Sequence, residues 1–152
     1  LLFSDGLEAC EAAADALAKI GPIGVHSLSR LMGDADANVR RLAVRGLTTA
    51  PQGDVAEAGL LAGVSDSVPI IRVEAAEPLL RYQSSRLKAA NALCDGVASS
   101  DRNTRLTAYR TLQRYPDVVE ILRSRLGEVL LDDSVSAQSR EAARRLLENA
   151  AR

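Results

Sequence analysis

Apolar positions along the chain fall three, four and seven residues apart, the spacing of one face of an α-helix, and the pattern repeats. Setting Arg40, Arg72, Arg105 and Arg140 in register puts an alanine three residues after each (Ala43, Ala75, Ala108, Ala143). It puts a leucine seven residues after each (Leu47, Leu79, Leu112, Leu147). Cys10, followed by Ala13 and Leu17, holds the same phase without the arginine. The spacings are 30, 32, 33 and 35 residues, a period that marks stacked helical units. The alanine lets a neighbouring helix come close, and the leucine fills the next hole.

A second apolar helix precedes each arginine-led one. Its signs are Leu28 with Met32, Leu60 with Val64, Leu93 with Val97 and, after a longer loop shifts the register, Leu126 with Leu130. Gly21-Pro22, Pro51 to Asp54, Gln83-Ser84-Ser85 and Pro116-Asp117 break the chain between units, since Pro and Gly end helices and Asp or Ser caps the next. The pattern predicts helices over 7–20, 23–33, 37–49, 54–64, 68–82, 85–98, 102–115, 117–131 and 135–150. They group into units of about 1–21, 22–50, 51–82, 83–115 and 116–152, each a helix A, a turn, a helix B and a loop. Pro78 falls inside the second full helix B, where it removes a backbone donor and predicts a bend within 74–82.

Composition agrees with an all-α fold. The 152 residues include 25 Ala and 22 Leu, both strong helix formers, and only 3% aromatics. Charged residues make up 26% and the net charge is −1, which excludes a disordered tail and a histone-like basic protein. No apolar run approaches the roughly 20 residues that span a bilayer, so no membrane is expected. The only two cysteines, Cys10 and Cys94, lie far apart, as suits a reducing cytoplasm.

The stretch Ala16-Leu17-Ala18-Lys19-Ile20-Gly21, then Leu28 to Asp34, then Asp34-Ala35-Asp36-Ala37-Asn38-Val39-Arg40-Arg41-Leu42-Ala43 resembles HEAT repeats, in particular the short bacterial HEAT-like units of phycobilin lyases. The resemblance covers nearly the whole chain and implies a right-handed α-α superhelix of about four and a half helix pairs. In such repeats an Asp in the A–B turn and an Arg opening helix B look outward and pair along the stack. Asp34, Arg40, Asp66, Arg72, Arg105 and Arg140 hold those positions, with Ser99 and Ser134 in place of the later Asp and Asp101 and Asp133 nearby. Residues 1–5 read as the tail of a helix A and its turn. No terminal helix carries the polar outer face of a solenoid cap, so the ends are expected to continue into more chain or to meet another domain or copy.

Chemistry-bearing residues are sparse. His26 is the single histidine and reads as a surface residue. Cys10 reads as packed against the next unit, and Cys94 as a structural thiol rather than a reactive one. The serines have one His among them for a base and read as caps, as does Asp132-Asp133. Neither a metal nor a cofactor is expected. Tyr82 and Tyr115, each ten residues after the register arginine, seal inter-repeat loops or anchor a partner.

The resemblance places helix B on the concave side of the stack, which makes its outward positions a groove. Arg41, Arg45, Glu74, Glu77, Arg81, Arg110, Arg114, Glu141 and Arg145 fall there. Residues 1–36 carry net −4 and the remainder net +3. Mixed sign along the groove suits a protein or peptide better than a phosphate backbone, which wants an unbroken basic stripe. The leading expectation is therefore a non-catalytic scaffold. The alternatives are a bilin lyase-like accessory subunit, implied by the resemblance, and in last place a nucleic-acid-binding HEAT-like domain.

Overall fold

A computed structural model describes residues 2–150, with side chains from residue 9 onward. All ten regular elements among them are helices: α1 (Leu2–Ile20), α2 (Pro22–Leu31), α3 (Ala37–Thr49), α4 (Asp54–Gly63), α5 (Pro69–Leu79), α6 (Arg86–Ala98), α7 (Arg102–Arg114), α8 (Pro116–Ile121), α9 (Arg123–Leu131) and α10 (Ala137–Ala150). Local chemistry sets their ends. Pro22, Pro69 and Pro116 open helices, where a missing N–H costs nothing. Asp36 and Asp101 cap α3 and α7 by accepting from Asn38 N–H at 2.8 Å and Thr104 N–H at 2.7 Å.

The helices pack in two series. Helices α1, α3, α5, α7 and α10 touch in sequence along one side, and α2 with α4, then α6 with α9, form the other; consecutive helices also pack across the two. One apolar cluster runs through the interior, with Leu28, Leu47, Leu60, Leu79, Leu93, Leu112 and Leu126 fully enclosed. The alanine column is buried at Ala43, Ala75, Ala108 and Ala143.

Close approach explains those alanines. A Cβ placed on Gly63 would sit 2.5 Å from the Cβ of Ala75, and one on Gly96 would sit 2.8 Å from that of Ala108. Glycine on helix A thus faces the register alanine on helix B.

Five expectations need correction. Helix α1 is continuous from Leu2, so residues 2–5 hold no turn. Its register is one residue later than drawn: Ala13 is exposed, while Ala14 and Ala18 are buried, because Gly46 of α3 approaches the backbone of Ala14. Cys10 is therefore exposed instead of packed. Helix α5 stops at Leu79, one residue past Pro78, and the chain continues to residue 82 in tight three-residue turns, with Tyr82 N–H donating to Leu79. The segment expected as one helix over 117–131 divides at Leu122, whose φ of −90° and ψ of 3° leave the helical basin. Buried Leu122 shares its N–H between the carbonyls of Val118 and Val119.

Glycine packing makes a testable contrast. Replacing Gly63 with Ala should lower the urea midpoint despite alanine's helix preference, since overpacking costs about 1–3 kcal/mol. Replacing Gly127 of α9, which has no neighbour within 4 Å of an added Cβ, should raise stability by up to about 1 kcal/mol.

Candidate functional site

The residues that open each helix B do structural work. Arg40 donates through Nη1 to the carbonyls of Asp34 and Ala35, at 3.0 and 3.1 Å. Arg72 repeats this with Asp66 and Ser67, and Arg105 with Ser99 and Ser100. The carboxylates of Asp34 and Asp66 instead accept from backbone N–H groups two residues on, which fastens the turn. Ser99 does the same with its hydroxyl at 3.2 Å. In the last unit the longer loop shifts these roles: Asp132 accepts from Ser134 N–H, and Arg140 pairs with Asp133.

Pairing between units occurs once in this series. Arg40 donates through Nε and Nη2 to both oxygens of Asp66, at 2.7 and 3.0 Å, with the two side chains 13% and 4% exposed. The guanidinium holds Asp66 below the usual carboxylate range, and Arg40 is shifted up in return. Asp34 with Arg40, and Asp66 with Arg72, therefore share a turn without a carboxylate–guanidinium pair.

The groove candidates other than Arg81 fall on α3, α5, α7 and α10, facing one side. Most are already partnered. Arg41 grips both oxygens of Glu74 at 2.5–3.0 Å. Arg45 reaches Glu11 at 2.6 Å and lies 3.7 Å from Asp15. Arg114 binds Glu77 at 2.8 Å. Glu141 takes Arg144 at 2.8 Å and Arg145 at 2.6 Å, which together pull its carboxyl down to about 2. Arg81 lies past the end of α5 and donates to the carbonyls of Thr48 and Pro78, a clamp on the end of α3 rather than a groove wall. Arg110 is exposed and meets no carboxylate among the described residues.

Three clefts lie along this face. One of about 460 Å³ is walled by Glu11, Arg41, Arg45, Thr48, Glu74 and Thr107. A second of about 500 Å³ shares Arg41, Glu74 and Thr107 and adds Ile70, Asn103 and Arg110. A third of about 280 Å³ lies between α7 and α10, where Leu106 joins it to the second and Tyr109 and Arg145 flank it. The shared walls make one trough. Sequence reasoning missed Asn103, Leu106, Thr107 and Tyr109 because only the charged outward positions point to a groove, and missed Glu11 because its unit lacks the register arginine. Leu106 shares its column with Arg41 and Glu141, and an unfiltered column would have found it.

The remaining groups are placed plainly. His26 is exposed. Cys94 is buried on α6, and burial pushes its thiol up to about 11, far from a reactive thiolate. Among the described residues no three His, Cys, Asp or Glu side chains gather as a metal site, and no helix is long and apolar enough to cross a membrane. Compared with known proteins, the chain matches no family model and no curated sequence.

The Asp66 pairing fixes a pH dependence. A carboxyl held low in the folded state stabilises it above its unfolded value, near 3.9. That contribution fades as pH falls through the folded value. Asp66→Asn should lower the melting temperature at pH 7, and the gap from wild type should close on acidification below about pH 4.

Proposed function

We propose that the chain is a HEAT-like stack of helix pairs acting as a non-catalytic interaction scaffold. Its B-helix side holds an extended segment of a partner protein. The continuous trough carries this reading: three clefts share walls along α1, α3, α5, α7 and α10. Its lining suits a polypeptide. Thr48, Asn103 and Thr107 offer hydrogen-bond groups for a peptide backbone, Ile70, Leu106 and Tyr109 offer apolar seats, and Arg110 offers a cation to an acidic residue. Glu11, Glu74 and Glu141 break the basic character that a phosphate backbone would require. A bacterial cytoplasmic setting accords with the resemblance and with the two separated thiols.

Peptide display against the immobilised chain tests this, followed by fluorescence anisotropy with the selected peptides. Arg110→Glu, which disturbs no ion pair seen among the described residues, should weaken binding about tenfold. Charge reversal of Arg45, Arg110 and Arg145 together should abolish it. Peptides that bind both variants as tightly as wild type would remove the trough from the function.

A further inference from the structure

Each helix B passes to the next helix A through a short loop, and successive loops stand side by side with a crevice between them. Two of these crevices are closed by side chains. Between residues 50–54 and 82–86, the Tyr82 hydroxyl accepts from Gly53 N–H at 3.4 Å. The hydroxyls of Ser84 and Ser85 both donate to Glu57 Oε1 at 2.5 Å, which holds the Glu57 carboxyl low. Between 82–86 and 115–117, Tyr115 packs half-buried against the core and Arg86 pairs with Asp117.

The first crevice lacks all of these closures. Arg40 and Arg72 set a 32-residue offset between the second and third units. By that offset Ala50 stands for Tyr82, Gln52 for Ser84, Gly53 for Ser85 and Val25 for Glu57. A methyl group cannot bridge the two loops, and Val25 has no acceptor for a hydroxyl. An open cleft of about 370 Å³ remains, walled by Gly21, Pro22, Val25, Pro51, Val55 and Ala56. Its size falls in the range of small-ligand pockets, about 300–1,000 Å³. On either side of Gly21-Pro22 in the chain, Ile20 and Ile23 are 65% and 78% exposed.

We propose that this cleft is a binding site for an aromatic ring of the phenol type, supplied from outside the chain. The ring chemistry follows from the repeat itself, since at the equivalent crevice one unit on, the covering group is the chain's own tyrosine. Two prolines, two valines and an alanine favour a flat apolar body, and Gln52 and Asp54, which also line the cleft, favour a polar tip, a combination that a phenol ring supplies. The site shares no residue with the trough and stands or falls independently of it. The ring arrives either as a free phenol or on the tyrosine of a partner.

Amide NMR titration with p-cresol, and separately with N-acetyl-tyrosine amide, tests the proposal. Saturable shifts should appear at residues 21–25 and 51–56 in the millimolar range, and cyclohexanol should bind several-fold more weakly. Ala50→Tyr should let the chain fill its own cleft and abolish the response. Tyr82→Ala should open the second crevice and add shifts at 53–57 and 83–86. If Ala50→Tyr does not fold, Val55→Arg carries the same expectation by placing a charge on the cleft wall. Shifts with p-cresol alone assign the site to free phenols, and shifts with both probes assign it to a partner's tyrosine. Absence of shifts at 21–25 and 51–56, an unchanged response in a folded Ala50→Tyr chain, or equal binding of cyclohexanol would each overturn the proposal.

Discussion

One guanidinium holds the turn inside each of three successive helix pairs, and the packing of the pair depends on it. Helices end with carbonyls that lack intrahelical partners. The A–B turn folds its own N–H groups back over them, as from Met32, Gly33 and Asp34 to the carbonyls of Ser29, Arg30 and Leu31, which leaves the carbonyls of the turn itself to be paired. Arg40, Arg72 and Arg105 each supply Nη1 to the turn carbonyls six and five residues earlier. One terminal nitrogen serves both carbonyls, and at Arg40 the rest of the planar guanidinium stays free to hold Asp66, which the point charge of a Lys could not do. Once the turn is fixed, the alanine three residues on faces helix A. In the two pairs that have Gly63 and Gly96 opposite, there is no room for a further carbon. The last pair departs from this. Its loop is longer, and Arg140 turns to the almost fully exposed Asp133, a contact that water and salt weaken.

Contacts between units are less regular than contacts within them. Asp66 joins two units because one oxygen holds its own turn while both receive Arg40. Ser99 keeps the first role but has no carboxylate for the second, so Arg72 serves its own turn alone. Further along, the joining moves elsewhere: Arg114 reaches Glu77 on the B side, and Arg125 reaches Asn91 and Asp95 between α9 and α6. The apolar cluster runs through every unit. The polar links add geometry at particular places, and burial supplies the common stabilisation.

Residues that must be apolar and small were legible in the sequence. Ala43, Ala75, Ala108 and Ala143 recur at one position of the repeat and announce a buried helix face, and all four are fully enclosed. Legibility failed where one residue of register or one backbone angle decided the outcome. In α1, Ala12, Ala13 and Ala14 are chemically alike, so composition could not say which faced α3; the approach of Gly46 decides it. The division at Leu122 is a change in two dihedral angles with no Pro or Gly to signal it. The outward arginines were legible as a column, but their acids lie 33 to 37 residues away in Arg41–Glu74 and Arg114–Glu77, a distance only the packing of neighbouring units closes.

Those pairs change what the B-helix face asks of a partner. Arg41 and Glu74 form the wall common to two clefts, and each already satisfies the other. A segment bound against them would gain little by adding a charge there, since it would have to replace an existing exposed pair worth about 0–1 kcal/mol. Arg45 and Arg145 are in the same position with Glu11 and Glu141. Arg110 differs, standing between Thr107 and the wall of α5 without a carboxylate among the described residues. On the proposed reading, selection along this face rests on shape and on hydrogen bonds at Thr48, Asn103 and Thr107, with Arg102 and Arg110 the cations left without a carboxylate among the described residues. A surface that looks arginine-rich in one dimension is nearly neutral in three, because Arg41, Arg45, Arg114 and Arg145 each meet a carboxylate.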